Sequence, residues 1–318
     1  MAKVIGIDLG GTAVKFGLFE SSGMLLEKWS IPTPQEDGND SVLKAIAESI
    51  LQKISGTGIQ TDDIAGAGLA VPAPVTGGGD IPKVVNINWE ARNISNDLGK
   101  YLPYPVTALN DANAAALGEL WMGAGQGVSS LVMVTLGTGV GGGVIIDGRP
   151  LTGRNGAAGE IGHICVDPDE EESCNCGNKG CLEQYSSATG FVRIAKRLIR
   201  EAKEHGTQTI LDEENVDSRL IMDACAKGDT AAMQALSQMT DILGRTLASV
   251  ACVADPEVFV IGGGVSNAGE LLRKPIEEAY RKYAFHAHRG TDIVLACLGN
   301  DAGIYGAAYY VIQALSKA

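Results

Sequence analysis

Three cysteines and a histidine lie close together in the chain, in a pattern typical of metal binding. Cys174, Cys176 and Cys181 form a C-x-C-x4-C run, and His163 precedes them. Three thiolates and an imidazole are the ligand set of a closed, tetrahedral structural zinc site. Because four protein ligands leave no position for a metal-bound water, we expect this zinc to shape the loop rather than to react. A disulfide or metal-free reduced thiols are the alternatives, and Cys165 is a competing ligand.

Two glutamates flank the same segment. Glu160 lies three residues before His163, so the two side chains share a face if the segment is helical, and Glu183 follows the cysteines. A zinc-bound histidine keeps a second ring nitrogen for another hydrogen-bonding group. Asn86 adds an amide close to Trp89. Carboxylates, an amide and a flat apolar ring suit a sugar, although each glutamate alone is more typical of a solvated surface.

An asparagine and an aspartate stand where an apolar run gives way to a helical pattern. Asn110 and Asp111 are the preferred residue types for capping a helix that begins near Ala112. The same strand-to-helix junction is the usual place for a ligand in an α/β sheet, where an aspartate can act as a general base. Both interpretations of Asp111 stay open at this point.

Three glycine-rich turns each follow an apolar strand. They are Asp8 to Thr12, Leu136 to Gly143, and Gly262 to Gly264. Residues 137–142 satisfy G-x-G-x-x-G, but a β-branched run follows instead of a helix, which argues against a dinucleotide fingerprint, and the P-loop pattern is absent. Backbone amides in such turns can approach phosphate oxygens, and a neighbouring carboxylate such as Asp8 can hold magnesium.

The pattern of elements predicts two α/β lobes. A strand, a glycine turn and a second strand occur near the start and again from residue 130, while helical periodicity separates them. We expect helices at 41–54, 112–122, 191–204, 229–254 and 303–312. No long linker rich in proline or serine separates the halves, so two lobes facing a cleft and joined by short hinges are expected.

Composition excludes several functional classes. The 318 residues carry a net charge of −13, which argues against nucleic-acid binding because that needs a basic face. The start lacks the apolar run of a signal peptide, and no stretch is long enough to span a bilayer. We therefore expect a cytoplasmic protein without membrane or nucleic-acid partners, and the seven cysteines fit a reducing compartment.

With these residues in hand, the chain resembles the ROK family of sugar kinases and repressors, within the actin, hexokinase and Hsp70 superfamily, and looks most like its bacterial glucokinases. The resemblance covers nearly the whole chain. It implies the catalytic residue Asp111 and a sugar site formed by Asn86, Asn110, Asp111, Glu160, His163 and Glu183. It implies nucleotide contacts from Asp8, Gly10, Gly11, Thr12, Lys15, Gly137, Thr138, Gly139, Gly263 and Gly264. It implies zinc ligands at His163, Cys174, Cys176 and Cys181.

The resemblance also implies an architecture and an activity. The fold would be the two-lobed α/β ATPase fold of actin and hexokinase, with a small lobe at 1–110 completed by a helix at 302–318, and a large lobe at 111–301. The activity would be phosphorylation of glucose by ATP with Mg²⁺, in a homodimer. Kinases for N-acetylmannosamine, fructose or allose are the alternatives, and a non-catalytic sugar sensor is the rival. A repressor is disfavoured because Asp8 leaves no room for a preceding helix-turn-helix domain.

Overall fold

The structure is a computed structural model that describes residues 2–34, 40–83 and 89–316, and it has the predicted mixed α/β character. The helices are α1 Ser41–Thr57, α2 Ile94–Gly99, α3 Asp111–Met122, α4 Glu183–Ser186, α5 Ala188–Glu204, α6 Ser218–Ala226, α7 Thr230–Ala254, α8 Glu270–Tyr283 and α9 Ala302–Leu315. The strands are β1 Lys3–Leu9, β2 Ala13–Glu20, β3 Leu25–Pro32, β4 Ile64–Val71, β5 Asp80–Ile81, β6 Arg92–Asn93, β7 Val106–Asn110, β8 Leu131–Leu136, β9 Val140–Ile146, β10 Arg149–Pro150, β11 Val258–Gly262 and β12 Asp292–Leu295.

The chain divides into two compact units. The first comprises 1–129, 143–159 and 298–318, and the second comprises 130–142 and 160–297. The predicted small lobe, 1–110 with the C-terminal helix, falls within the first unit, which also contains α3 and the segment 143–159.

The first unit is built on a five-stranded sheet of order β3-β2-β1-β4-β7. Strands β1 and β2 form an antiparallel pair whose register places Asp8 opposite Lys15, whereas β1, β4 and β7 run parallel. The carboxyl ends of β1 and β7 therefore share one edge of the sheet, which is where polar residues of α/β sheets commonly bind ligands. Asp8 is the second-last residue of β1, and Asn110 is the last residue of β7.

Helix α9 packs on this sheet at unusually short range. A Cβ at Gly6 of β1 would overlap the carbonyl of Ile304, and a Cβ at Gly68 of β4 would overlap that of Ala307. These glycines have ordinary extended backbone, so the requirement is space rather than conformation. Helix α1 contributes an apolar face to a separate core that includes the stacked pair Phe16 and Trp29.

The second unit contains the parallel strands β8, β11 and β12, with β11 paired to both neighbours. Its longest helix, α7, begins after Asp229, whose side chain accepts the N–H of Ala232. Gly244 in α7 lets α8 approach, since an added Cβ would lie 2.5 Å from the Cβ of Ala279. Hydrogen bonds from backbone amides oppose the effect of burial and hold the pKa of Asp229 below its ordinary value.

Strand β9 begins in the second unit and ends in the first. Its hairpin with β10 turns at Asp147 and Gly148, both with positive φ, of 50° and 74°. Asp-Gly is the preferred pair for a two-residue hairpin loop of this kind, because both central residues need left-handed backbone. Within the described ranges, no helix has the length and apolar character needed to cross a membrane.

Candidate functional site

In the first unit, the turn after β1 is fixed by backbone and threonine hydrogen bonds. The N–H of Gly10 donates to the carbonyl of Ala13 at 3.1 Å, and the carbonyl of Gly10 accepts the hydroxyl of Thr33 at 2.7 Å. Gly11 and Thr12 are both exposed at the tip. These hydrogen bonds hold Gly10 at the base of the turn, while the tip of the turn is open to solvent.

The carboxylate beside this turn, Asp8, is largely buried. Its Oδ2 lies 3.4 Å from Lys15 Nζ, which also donates to the carbonyl of Asn300 at 3.1 Å. Gly303 of α9 packs directly on the carboxyl group, since an added Cβ would lie 2.8 Å from Asp8 Cγ. Burial raises the pKa of Asp8 and the Lys15 ammonium opposes this shift. A carboxylate in such surroundings is stabilised in its charged form by a bound cation.

Asn110, not Asp111, is the N-cap of α3. The Asn110 side chain accepts the N–H of Asn113 at 3.1 Å, and its Nδ2 donates to the carbonyl of Ala73 at 3.2 Å. Asp111 is the first helical residue, and its Oδ1 accepts the N–H of Ala112 at 2.8 Å and the amide of Asn110 at 3.2 Å. Because the cap is already supplied by Asn110, capping does not account for a carboxylate at position 111.

In the second unit, the turn between β8 and β9 presents backbone amides. The N–H of Gly137 donates to the carbonyl of Gly139 at 3.0 Å, which closes the turn. Within the described part of the chain, the N–H groups of Thr138 and Gly139 have no hydrogen-bond acceptor. Two adjacent N–H groups without acceptors suit an anion such as a phosphate group.

The third glycine turn packs against the beginning of the second. Gly263 has φ of 84°, and an added Cβ would lie 2.5 Å from the backbone of Leu136, so both conformation and space require glycine here. Beyond it lies a cavity of about 340 Å³. The cavity is lined by Ser218, Arg219, Met222, Asp223, Gly264, Val265, Asn267 and Ala268. Its size and mixed lining suit a nucleoside-sized group.

The predicted metal ligands come together. The ligand atoms of His163, Cys174, Cys176 and Cys181 all lie within 4.8 Å of one another. Cys174 Sγ is 3.9 Å from His163 Nδ1, and Cys176 Sγ is 3.7 Å from Cys181 Sγ. Ligands at about 2.3 Å from a tetrahedral zinc would have sulfurs roughly 3.8 Å apart, so the donor set fits the ion. Cys165 is exposed and is not part of this group.

The electrostatics of the cluster also favour a cation. Burial raises the pKa of the Cys181 thiol to about 12, whereas hydrogen bonding from the backbone of Asn178 lowers that of Cys176. A buried sulfur with so high a pKa is held as a thiolate only by a nearby positive charge. The loop is tied to the following helices through Arg193, which donates to Glu170 at 2.6 Å and to Glu172 at 3.1 Å.

Besides Asn110 and Asp111, four residues were predicted for the sugar side: Asn86, Glu160, His163 and Glu183. Glu160 precedes a short 3₁₀ turn, Ile161–His163, and is exposed, as is His163. Side chains three apart in a 3₁₀ turn lie above one another, which agrees with the expected shared face. Glu183 is instead already engaged, because its Oε2 accepts the N–H of Val140 at 3.0 Å. Asn86 lies outside the described residues.

Some residues that shape the site carry no signal in the local sequence. Thr33 fixes the first glycine turn from the end of β3, and Glu119 of α3 is fully buried. The Glu119 carboxylate accepts the N–H of Ala124 and that of Leu298, each at 2.8 Å. Such partners are separated widely in the chain, and a lone threonine or a glutamate in a helix predicts nothing by itself.

Several known proteins are similar to this chain over nearly its whole length. The profile of the ROK family matches residues 4–314. Glucokinase of Halalkalibacterium halodurans is 40% identical over 312 residues, covering 97% of this chain and 94% of that protein. Glucokinase of Thermotoga maritima is 37% identical over 314 residues, covering 96% of each.

Solved structures give the same result. A ROK family glucokinase from Streptomyces griseus, in complex with glucose and AMPPNP, superimposes with a TM-score of 0.76 at 32% identity, covering 98% of this chain and all of that one. The ROK hexokinase from Thermus thermophilus reaches 0.82 at 34% identity, covering 99% and 100%. The family match over nearly the whole chain and the full-length relatives lead to one conclusion: this chain belongs to the ROK family.

Proposed function

We propose that this protein is a glucokinase, which transfers the γ-phosphoryl group of ATP to glucose and yields glucose 6-phosphate. The observation that carries the proposal is full-length identity of 37–40% to two proteins named glucokinase, together with the site residues described above. A structural relative holds glucose and AMPPNP, the two kinds of ligand that this reaction requires.

The nucleotide side uses the glycine turns. The free N–H groups of Thr138 and Gly139 would receive phosphate oxygens, and the cavity beside Gly264 would receive the nucleoside. Asp8 would hold Mg²⁺, which when bound offsets negative charge on the phosphates. Lys15 is placed by the β1–β2 register to contribute positive charge next to Asp8.

The sugar side uses Asn110, Glu160, His163 and Glu183, with Asp111 as general base. Asp111 takes the proton of the sugar's 6-hydroxyl as that oxygen bonds to the γ-phosphorus. The bond between the γ-phosphorus and the bridging oxygen breaks, and ADP leaves with the electron pair. Asn110 keeps Asp111 in place through its contacts with Ala73 and with the first turn of α3.

The cysteine cluster would hold a structural Zn²⁺. Its four donors fill a tetrahedral ion, so the metal would order residues 163–181 without touching the reacting atoms. We further propose a cytoplasmic homodimer: the family resemblance supports the dimer, and the cysteine content fits a reducing compartment.

A panel of hexoses tests the proposal. Purified protein with ATP and Mg²⁺ should phosphorylate glucose with a higher kcat/KM than fructose, allose or N-acetylmannosamine, as measured by ADP release. A higher kcat/KM for N-acetylmannosamine would reassign the enzyme to that substrate. Binding of glucose with no ADP release for any hexose would instead identify a sugar sensor.

A further inference from the structure

Helix α4 and the first residues of α5 form hydrogen bonds with the phosphate turn of the second unit. We call the turn at Gly137–Val140 the phosphate turn, and residues 183–189 the α4–α5 segment. Three hydrogen bonds connect them. Val140 N–H donates to Glu183 Oε2 at 3.0 Å, Ala188 N–H donates to the Gly137 carbonyl at 2.8 Å, and the Thr189 hydroxyl donates to the Thr138 carbonyl at 2.8 Å.

Close packing supports these hydrogen bonds. A Cβ at Gly139 would overlap Glu183 Oε2, and a Cβ at Gly162 would overlap the carbonyl of Val140. We call residues 163–181 the cysteine loop. The phosphate turn is therefore in contact with residues next to both ends of the cysteine loop. Within the α4–α5 segment, Ser187 is fully buried, its hydroxyl donating to the Glu183 carbonyl at 2.7 Å.

The direction of the hydrogen bonds matters for anion binding. The α4–α5 segment donates hydrogen bonds to the carbonyls of Gly137 and Thr138. These carbonyls are the groups of the turn that would repel a phosphate. The N–H groups of Thr138 and Gly139 are left without acceptors in the part of the chain described here. Fixing a peptide plane by its carbonyl also fixes the following N–H, because the two belong to one rigid unit. The carbonyl of Thr138 thus sets the direction of the Gly139 amide.

We propose that Thr189, with Glu183, is a positioning residue that preorganises the phosphate turn for the nucleotide. This inference rests on the proposed function, in which the turn receives ATP phosphates. Thr189 acts through the Thr138 carbonyl and does not itself touch the nucleotide. Through Glu183, whose Oε1 is 3.7 Å from Cys174 Sγ, the same segment links the metal cluster to the phosphate turn.

Thr189 offers a cleaner test than Glu183. Glu183 is also a sugar-side candidate, so its replacement would affect two ligands, whereas Thr189 belongs to no other predicted site. Thr189→Val keeps the shape and removes the hydroxyl donor, and Thr189→Ser keeps the donor. Thr207→Val is the matched control, because Thr207 is also exposed and follows the far end of α5, about 25 Å away along the helix.

The experiment measures nucleotide and sugar binding separately. The Thr189 hydroxyl also lies 2.9 Å from Ser187 Oγ, but only its hydrogen bond to Thr138 reaches the phosphate turn. Calorimetric titration of Thr189→Val with Mg²⁺ and AMPPNP should give a Kd about 3- to 10-fold higher than that of the wild type, the effect of losing the hydrogen bond to the Thr138 carbonyl. The KM for ATP should rise in the same proportion, while the glucose Kd stays within about twofold. Thr189→Ser and Thr207→Val should bind AMPPNP like the wild type. Hydrogen exchange of a peptide covering 136–141 should accelerate in Thr189→Val alone.

Each outcome separates this inference from the proposed function. A wild type that binds AMPPNP and phosphorylates glucose, with a Thr189→Val variant that has an unchanged AMPPNP Kd, would overturn the positioning role. If the wild type neither binds AMPPNP nor phosphorylates a hexose, both the function and the inference fail. Should Thr189→Val not fold, Thr189→Ala, which removes the same hydroxyl at a position favourable for a helix, takes its place with the same expected Kd.

Discussion

At the scale of single residues, the neighbours Asn110 and Asp111 have different expected roles. Asn110 caps α3, and Asp111, the first residue of that helix, is the general base in the proposed function. We expect Asp111→Asn to lower kcat by roughly 10²- to 10⁴-fold, because the general base is lost. Circular dichroism and the midpoint of thermal unfolding should stay close to those of the wild type. Near-normal turnover of a well-folded Asp111→Asn variant would leave that carboxylate without a catalytic role.

Glu119 illustrates a residue whose importance is structural. It is fully buried and satisfies two backbone amides, from Ala124 and from Leu298. A buried donor left without a partner costs about 1–3 kcal/mol, so Glu119→Ala should lower the free energy of unfolding by at least about 2 kcal/mol. Glu119→Gln retains one acceptor oxygen, so its free energy of unfolding should lie between those of the wild type and Glu119→Ala.

Urea denaturation of the variants gives this comparison directly. Glu48→Ala serves as the control, since Glu48 is an exposed residue of α1. If Glu119→Ala unfolds at the same urea concentration as Glu48→Ala, the two amides find other acceptors and the assignment is incorrect.

At the scale of elements, an ion pair that responds to pH joins the cysteine loop to α5. The Arg193 guanidinium, with help from the Tyr185 hydroxyl, lowers the pKa of Glu170 from its ordinary 4.5 to about 2. A carboxyl with a lowered folded-state pKa stabilises the fold above its unfolded pKa, and this contribution disappears as pH falls from about 4.5 to about 2.

The prediction concerns the difference between two proteins. Glu170→Gln should have a free energy of unfolding roughly 1–3 kcal/mol below that of the wild type at pH 7, as expected for a hydrogen bond to a charged group. This difference in the free energy of unfolding should become smaller as pH is lowered from about 5 towards 2. Denaturation curves of both proteins over this range provide the measurement, and a gap independent of pH would contradict the assignment.

Elements also show how far the sequence can lead. Helix α7 was expected at 229–254 and is found from Thr230, because Asp229 is its cap. Helix α5 was expected from Phe191 but begins at Ala188, since the Ser187 hydroxyl accepts the N–H of Gly190 and adds a turn. Periodicity locates long amphipathic helices, but capping decides where they begin. The short helix α2 contains too few turns to show a period.

The candidate site was predictable in part for a related reason. The spacing of the cysteines predicted a metal cluster, whereas the Asn110–Asp111 pair left capping and catalysis open until the family resemblance was added. The contact between Glu183 and Val140 joins residues 43 positions apart, and no local pattern announces it. The sequence therefore indicated a sugar role for Glu183 without revealing its hold on the phosphate turn.

At the scale of the whole molecule, we expect the metal to contribute to stability throughout the second unit. Structural zinc in small peptides binds with about 10–16 kcal/mol, comparable to the roughly 5–15 kcal/mol stability of a typical domain. Cys176→Ser should lower zinc content below one ion per chain and reduce the midpoint of thermal unfolding. Glu183 contacts both Cys174 of the cysteine loop and Val140 of the phosphate turn. We therefore expect the affinity for AMPPNP to fall as well as the affinity for glucose.

Elemental analysis, thermal unfolding and titration of the two ligands test this expectation. Cys252→Ser is the control, because Cys252 is an exposed cysteine of α7 outside the metal cluster. A wild type purified without zinc, or a metal-free Cys176→Ser variant with unchanged stability, would show that the cluster does not depend on an ion.

The close fit of α9 against the first unit bears on how the protein is made. A ribosome delivers β1 and β4 early, yet the carbonyls that cover Gly6 and Gly68 belong to Ile304 and Ala307. Until those residues have been made, the contacts of Gly6 and Gly68 with α9 cannot form. The second unit, most of which is contiguous at 160–297, is complete before that moment. The order of synthesis therefore allows the second unit to fold first, whereas the N-terminal sheet lacks its α9 neighbour until residues 302–315 have been made.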